Sequence, residues 1–160
     1  MVNGKQKTIW FRHYTLEELE HLSCGNMVEH LDIRVTEIGP DFLSGSMPVD
    51  HRTHQPAGLL HGGASVALAE TLGSFAANLC VDPEQKACVG QEISASHLRS
   101  VRQGRVSGTA RPLHRGRSSQ VWEIKIVDER ERLVCVSRLT VAVVSRSHGG
   151  GKMQVLSDKG

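Results

Sequence analysis

Hydrophobic and polar positions change period along the chain, and each change marks an element. Thr15-Leu16-Glu17-Glu18 has the form of a capping box and predicts a short helix to about Leu22. From His30 to Ile38 the apolar residues Leu31, Ile33 and Val35 alternate, as in a strand. Phe42 to Val49 reads as its antiparallel partner across Gly39-Pro40-Asp41. Gly63 to Leu79 is the one long helical stretch, with Val66, Leu68, Ala69, Leu72, Phe75, Ala76 and Leu79 spread over a broad face. Gly73, Ala76 and Ala77 leave room on it for a neighbouring backbone. Four strands follow, at roughly Ala87–Ser96, Arg105–His114, Gln120–Asp128 and Leu133–Val144, rich in the β-branched residues that suit a pleated surface. Asp128-Glu129-Arg130-Glu131-Arg132 makes a charged hairpin turn. The order helix, two strands, long helix, four strands implies an α+β fold, an antiparallel sheet packed on one central helix. Residues 9–145 form a single domain on this reading, between flexible segments at 1–8 and 146–160.

Composition narrows the class. With 39% apolar, 22% charged and only 4% aromatic residues, the chain is globular and its core must be aliphatic. A net charge of +2 does not point to nucleic acid, but its distribution is uneven. Between Ile93 and Trp122 stand Arg99, Arg102, Arg105, Arg111, Arg115 and Arg117, with no Asp or Glu. Such a local field favours a phosphate-bearing ligand, unless the arginines simply solvate a strand face. Cys24, Cys80, Cys88 and Cys135 form no CxxC pair and follow no apolar leader, so free thiols in the cytoplasm are expected. No stretch is long and apolar enough to span a membrane.

The candidate chemistry lies in Pro56-Ala57-Gly58-Leu59-Leu60-His61-Gly62-Gly63-Ala64-Ser65-Val66-Ala67-Leu68-Ala69-Glu70. A glycine-flanked helix start exposes N–H groups that carry partial positive charge and can bind a polarised carbonyl oxygen. Glu70, an acid in a mostly apolar helix, supplies a nucleophile or base. Ser74 follows at i+4, on the same helix face.

The run Met47 to Pro56, then Gly58-Leu59-Leu60-His61-Gly62-Gly63-Ala64-Ser65 and Ala69-Glu70, resembles the hotdog-fold acyl-CoA thioesterases. Ser96-His97-Leu98-Arg99, Gly104-Arg105-Val106, Pro112 to Arg117 and Ser137-Arg138-Leu139-Thr140 extend the likeness from about Ile9 to Val144. Within these it is similar to the phenylacetate-degradation-related branch, whose best-known members hydrolyse 1,4-dihydroxy-2-naphthoyl-CoA or clear mis-acylated carrier proteins. The resemblance implies a sheet wrapped around the long helix and dimers with active sites at the subunit interface, commonly paired into tetramers. It implies that Gln55 orients the thioester, that His61 sits beside the oxyanion site, and that the Gly62 N–H polarises the carbonyl. Glu70, from the partner subunit, attacks the carbonyl or activates a water, with Ser74 positioning that water. His97, Ala57 and Phe75 line the acyl pocket, and Arg99, Arg117 and Arg115 are the preferred phosphate contacts. Ala57 stands where relatives carry an aromatic residue, and Ser94-Ala95-Ser96 replaces Asn-Ala-Asn before His97. The expected reaction is hydrolysis of an aromatic or medium-sized acyl-CoA without metal or redox cofactor, coenzyme A being part of the substrate.

Plainer readings stand beside these. Glu70 can be an interfacial acid, His61 a helix cap, Gly62 and Gly63 turn residues, Ser74 a bond to a local carbonyl and His97 a structural histidine. His51, His54 and His61 lie across a loop and do not make a metal set. Trp122 reads as core, not as a stacking platform. The small-residue helix face and the valine-rich last strand suit packing between subunits, hence a homotetramer. The alternatives are a thioesterase acting on mis-acylated acyl carrier protein, a hotdog hydratase or dehydratase, and a non-catalytic acyl-CoA-binding module.

Overall fold

The computed structural model describes residues 8–146. The segments expected to be flexible, 1–8 and 146–160, fall outside that range except for Thr8 and Arg146.

Helix α1 (Leu16–Ser23) starts at the capping box: Glu18 N–H donates to Thr15 Oγ1, and the Glu18 carboxylate takes the Thr15 N–H at 2.8 Å. The first strand begins later than its alternation suggests. Asn26 caps a single helical turn, α2 (Met27–His30), and Asp32 (φ 51°) reverses the chain before β1 (Arg34–Ile38). An Asn cap and an Asp that tolerates the left-handed region override an alternation of only three residues. The other expected elements appear within one or two residues of their expected bounds. They are β2 (Leu43–Pro48), α3 (Gly62–Leu79), β3 (Lys86–His97), β4 (Arg105–Arg115), β5 (Ser119–Asp128) and β6 (Leu133–Ser145).

The strands form one antiparallel sheet in the order β1-β2-β4-β5-β6-β3. α3 lies on one face of it, with Leu68, Leu72 and Ala76 buried against Val106, Ile124, Ile126 and Leu139. This is the hotdog arrangement implied by the resemblance. Trp122 is fully buried, with its Nε1 donating to Gln120 Oε1 at 3.0 Å. The core rests on aliphatic side chains, each worth about 1.5–3 kcal/mol when fully buried.

The small-residue face of α3 has a different use from the one expected. A Cβ at Gly73 would meet Leu139 Cδ2 at 2.6 Å, and Ala76 and Ala77 are fully buried, so this face is packed within its own chain. The valine-rich β6 likewise lies inside the sheet, between β5 and β3. The open surface is elsewhere: β3, twelve residues long, pairs on one side with β6 and has no partner on the other among the described residues. Asn78 ties α3 to this strand, its Oδ1 accepting from Cys88 N–H (2.9 Å) and its Nδ2 donating to Cys88 O (3.2 Å).

Candidate active site

The loop between β2 and α3 is held by backbone bonds and one buried side chain. Thr53 Oγ1 donates to Pro48 O (2.8 Å), and Thr53 O accepts from His61 N–H (2.8 Å), which sets where α3 begins. Gln55 N–H donates to Leu59 O, and Leu60 N–H to Val101 O, both at 2.8 Å. The His54 ring meets Arg102 O at 2.9 Å, so the loop 98–104 is pinned against the loop 54–60. Arg52 pairs with Asp50 at 2.6 Å, and this bond holds the Asp50 carboxyl well below the usual carboxylate range.

At the head of α3, His61 acts as the N-cap. Gly63 N–H donates to its Nδ1 at 2.8 Å, which requires that nitrogen to be unprotonated. Ala64 and Ser65 N–H groups go to His61 O. The Gly62 N–H has no acceptor among the described residues. It stands in the first turn of an 18-residue helix, where aligned peptide dipoles favour negative charge. The His97 imidazole lies over this glycine. Beside them opens a cavity of about 400 Å³, whose lining includes Gln55, Gly62, Ser65, His97, Leu98 and Arg99. Gln55 Oε1 accepts from Ala57 N–H, and its amide NH2 has no acceptor among the described residues. A second cavity, about 360 Å³ between α1, α2 and β1, contains none of the expected site residues.

The structure therefore gathers Gln55, Gly62, His97 and Arg99 around one cavity, with His61 capping the helix beside it. Glu70 and Ser74 are not there. Eight residues of helix put Glu70 about 12 Å from Gly62 along the axis. Its exposed carboxylate lies against β3, where a Cβ at Gly90 would come within 3.0 Å of Oε1. Ser74 and Asn78 continue the same stripe at i+4 and i+8, toward β3. Phe75 is half-buried and packs on the core, and Ala57 is exposed in the loop.

The arginine cluster separates. Arg105 pairs with Asp32 (3.3 Å) and Arg111 with Asp41 (2.8 Å), Arg111 also lying 4.5 Å from the Phe42 ring centre. Arg115 donates to Ile9 O (3.1 Å), near Cys80 at the C-terminal end of α3. Arg117, in the exposed β4–β5 turn, is with Arg115 at the end of the sheet away from the cavity. Of the three preferred phosphate contacts, only Arg99 borders the cavity within one chain. Sequence reasoning missed Ser65, one turn after Gly62 on the cavity wall; Asn78, at i+8 from Glu70, is structural and ties α3 to β3.

Comparison with known proteins bears on this geometry. Residues 57–135 match the model of the thioesterase superfamily. A 1,4-dihydroxy-2-naphthoyl-CoA hydrolase of Escherichia coli is 58% identical over 136 residues, 85% of this chain and 99% of that protein. A proofreading thioesterase, EntH, of Cronobacter turicensis is 60% identical over 136 residues, again 85% of this chain and 98% of that protein. The crystal structure of a thioesterase from Haemophilus influenzae superposes with a TM-score of 0.86 at 48% identity, covering 89% of this chain and all of that one.

Proposed function

The chain belongs to the thioesterase superfamily and is a thioester hydrolase, and from that premise we propose that its substrate is an aromatic or medium-sized acyl-CoA bound in the cavity at the head of α3. The observation that carries this reading is the Gly62 N–H. It has no acceptor among the described residues, it stands at a helix N-terminus, and it borders a cavity with Gln55 and His97. A thioester carbonyl oxygen placed on that N–H is polarised, and the charge that develops on it in the transition state is stabilised. The free Gln55 amide group orients the same region of the ester. His97 and the apolar wall of Leu60, Leu98 and Val134 receive the acyl group.

The acid comes from a second copy of the chain. Glu70 is about 12 Å from its own Gly62, too far to touch a carbonyl held there. It faces β3, whose outer edge has no partner strand among the described residues and is a natural docking surface for another copy. Pairing there carries Glu70 and Ser74 toward the partner's cavity. Glu70 then adds to the carbonyl carbon or takes a proton from a water that does so. The C–S bond breaks, the thiol leaves with a proton, and water ends up in the acid product. Arg99, at the cavity rim, meets the phosphates of coenzyme A. The reaction needs no metal or redox cofactor. Free cysteines support residence in the reducing cytoplasm. No helix among the described residues is long and apolar enough to cross a membrane.

Thiol release from a panel of aryl and alkyl acyl-CoAs tests the reading, with wild type and Glu70→Gln compared. Loss of at least ~100-fold in turnover, equal to about 2.7 kcal/mol of barrier, with the assembly intact is the expected outcome. Full activity in a correctly assembled Glu70→Gln would overturn the assignment. Release only from an acyl carrier protein would shift the substrate to the carrier-linked ester.

A further inference from the structure

The Glu70 carboxylate lies against an irregular point of β3. Gly90 and Glu92 pair with consecutive residues of β6, Val141 and Thr140, so Gln91 is an extra residue, a β-bulge. The bulge changes which side chains face α3. Before it, Cys88 is buried with its Sγ 3.4 Å from Ala77 O, and Gly90, two residues on, lies on the same face. After it, Ile93 and Ala95 pack on the core and His97 lies over Gly62. Unbroken alternation from Cys88 would turn His97 away from the helix.

Gly90 stands at the start of this bulge, opposite Glu70. Apart from its chain neighbours, a Cβ there would have one heavy atom within 4 Å, Glu70 Oε1 at 3.0 Å. Its φ lies outside the left-handed region, so the backbone accepts alanine, and alanine suits a strand interior better than glycine. Neither the backbone nor the core requires glycine here. The one group that uses the space is the carboxylate. None of the ion pairs among the described residues includes Glu70, which is exposed, so the surface beneath its carboxylate sets where that group lies.

We infer that Gly90 is a positioning residue, whose missing side chain seats the Glu70 carboxylate on β3 at the depth from which it reaches the thioester. The inference rests on the reading of Glu70 as the acid of the reaction. A methyl group at residue 90 drives Oε1 outward by a few tenths of an ångström. Displacement of about 1 Å at a reacting group can cost roughly 100-fold in rate, so a smaller shift is still measurable. The bulge lets one strand carry this seat and, seven residues on, the ring that overlies the Gly62 donor.

The test follows thiol release from benzoyl-CoA, or from the panel ester that wild type turns over fastest. Wild type, Gly90→Ala, Glu70→Gln, Glu70→Asp and the double variant of Gly90→Ala with Glu70→Asp are compared. Gly90→Ala should lower kcat by about 5- to 10-fold and change KM by less than about two-fold. Its assembly should be intact and its urea midpoint equal to or above that of wild type. Shortening the acid by one methylene draws it back from residue 90, so in the Glu70→Asp background Gly90→Ala should cost less than about two-fold further. An unchanged kcat in Gly90→Ala, beside the loss in Glu70→Gln, overturns the inference alone. So does a rise in KM, a lower urea midpoint, loss of assembly, or an equal cost in both backgrounds. Full activity in Glu70→Gln instead removes the reading of Glu70, and Gly90 falls with it.

Discussion

Gly62 and His97 occupy space that a single methyl group would contest: a Cβ on the glycine would stand 2.8 Å from His97 Nε2. The contact joins the head of α3 to the last residue of β3, so donor and ring are placed as a unit. Gly62→Ala should displace the imidazole and lower kcat/KM by roughly 10- to 100-fold. His97→Ala in the same chain should return part of that loss, because the obstructing ring is gone. Steady-state kinetics of the two single variants and the double variant measure this as a coupling energy of about 0.5–3 kcal/mol. Strict additivity would mean the contact has no bearing on the reaction.

Glu70 and the Gly62 N–H belong to the same site only if two copies share it. Glu70→Gln and Gly62→Val chains, each impaired alone, should complement when denatured together and refolded as a mixture. Half of randomly assorted pairs then carry one intact site of two, restoring roughly a quarter of wild-type activity. A mixture no better than its components would place each site within one chain.

Arg99 borders the cavity, whereas Arg115 holds Ile9 at the far end of α3. Arg99→Glu should raise KM for an acyl-CoA by about ten-fold and alter KM for the matching acyl-pantetheine little, since the latter lacks the nucleotide phosphates. Equal effects on both esters would remove Arg99 as a phosphate contact.

The four thiols should differ in reactivity. Burial pushes Cys80 and Cys88 up to about 11 and raises Cys135 as well, so all three remain protonated at pH 8. Only the thiolate is nucleophilic. Exposed Cys24 should react quickly with an aromatic disulfide reagent, and the other three only after denaturation. Fast modification of a second thiol in the native protein would show that one of these sites opens.

Asp128 closes the β5–β6 turn, with Arg132 Nε at 2.8 Å from its carboxylate and the Arg130 and Arg132 N–H groups donating to it. Arg132 holds this carboxyl at about 2, below the ordinary 3.8. A depressed folded-state value contributes stability above the unfolded value, and that contribution is lost as pH falls through the folded one. The difference in urea midpoint between wild type and Asp128→Asn should therefore be constant from neutral pH to about 5, then shrink toward pH 2. A difference independent of pH would assign the effect to packing.

Much of the architecture was legible before any coordinates. The capping box at Thr15, the long apolar helix and the four β-branched strands are local patterns, and local patterns decide where elements form. The His-Gly-Gly segment marked the helix start whose Gly62 N–H has no acceptor among the described residues. The pattern misled at 30–33, where the Asn26 cap and Asp32 turn outweighed a short alternation. It misled again on the small-residue face of α3, because a sequence shows that Gly73 has room but not who occupies it.

The sequence by itself determined the α+β class, the helix that carries Glu70, and the residue types gathered at its head. Only the tertiary structure decided that Leu139 fills the space at Gly73, that β3 is an edge strand among the described residues, and that Gln55, His97 and Arg99 converge on Gly62. It also separated Glu70 from the cavity of its own chain. Periodicity records which face of an element is apolar. Strand order and helix docking, which are set by contacts between residues far apart in the chain, determine what each face meets.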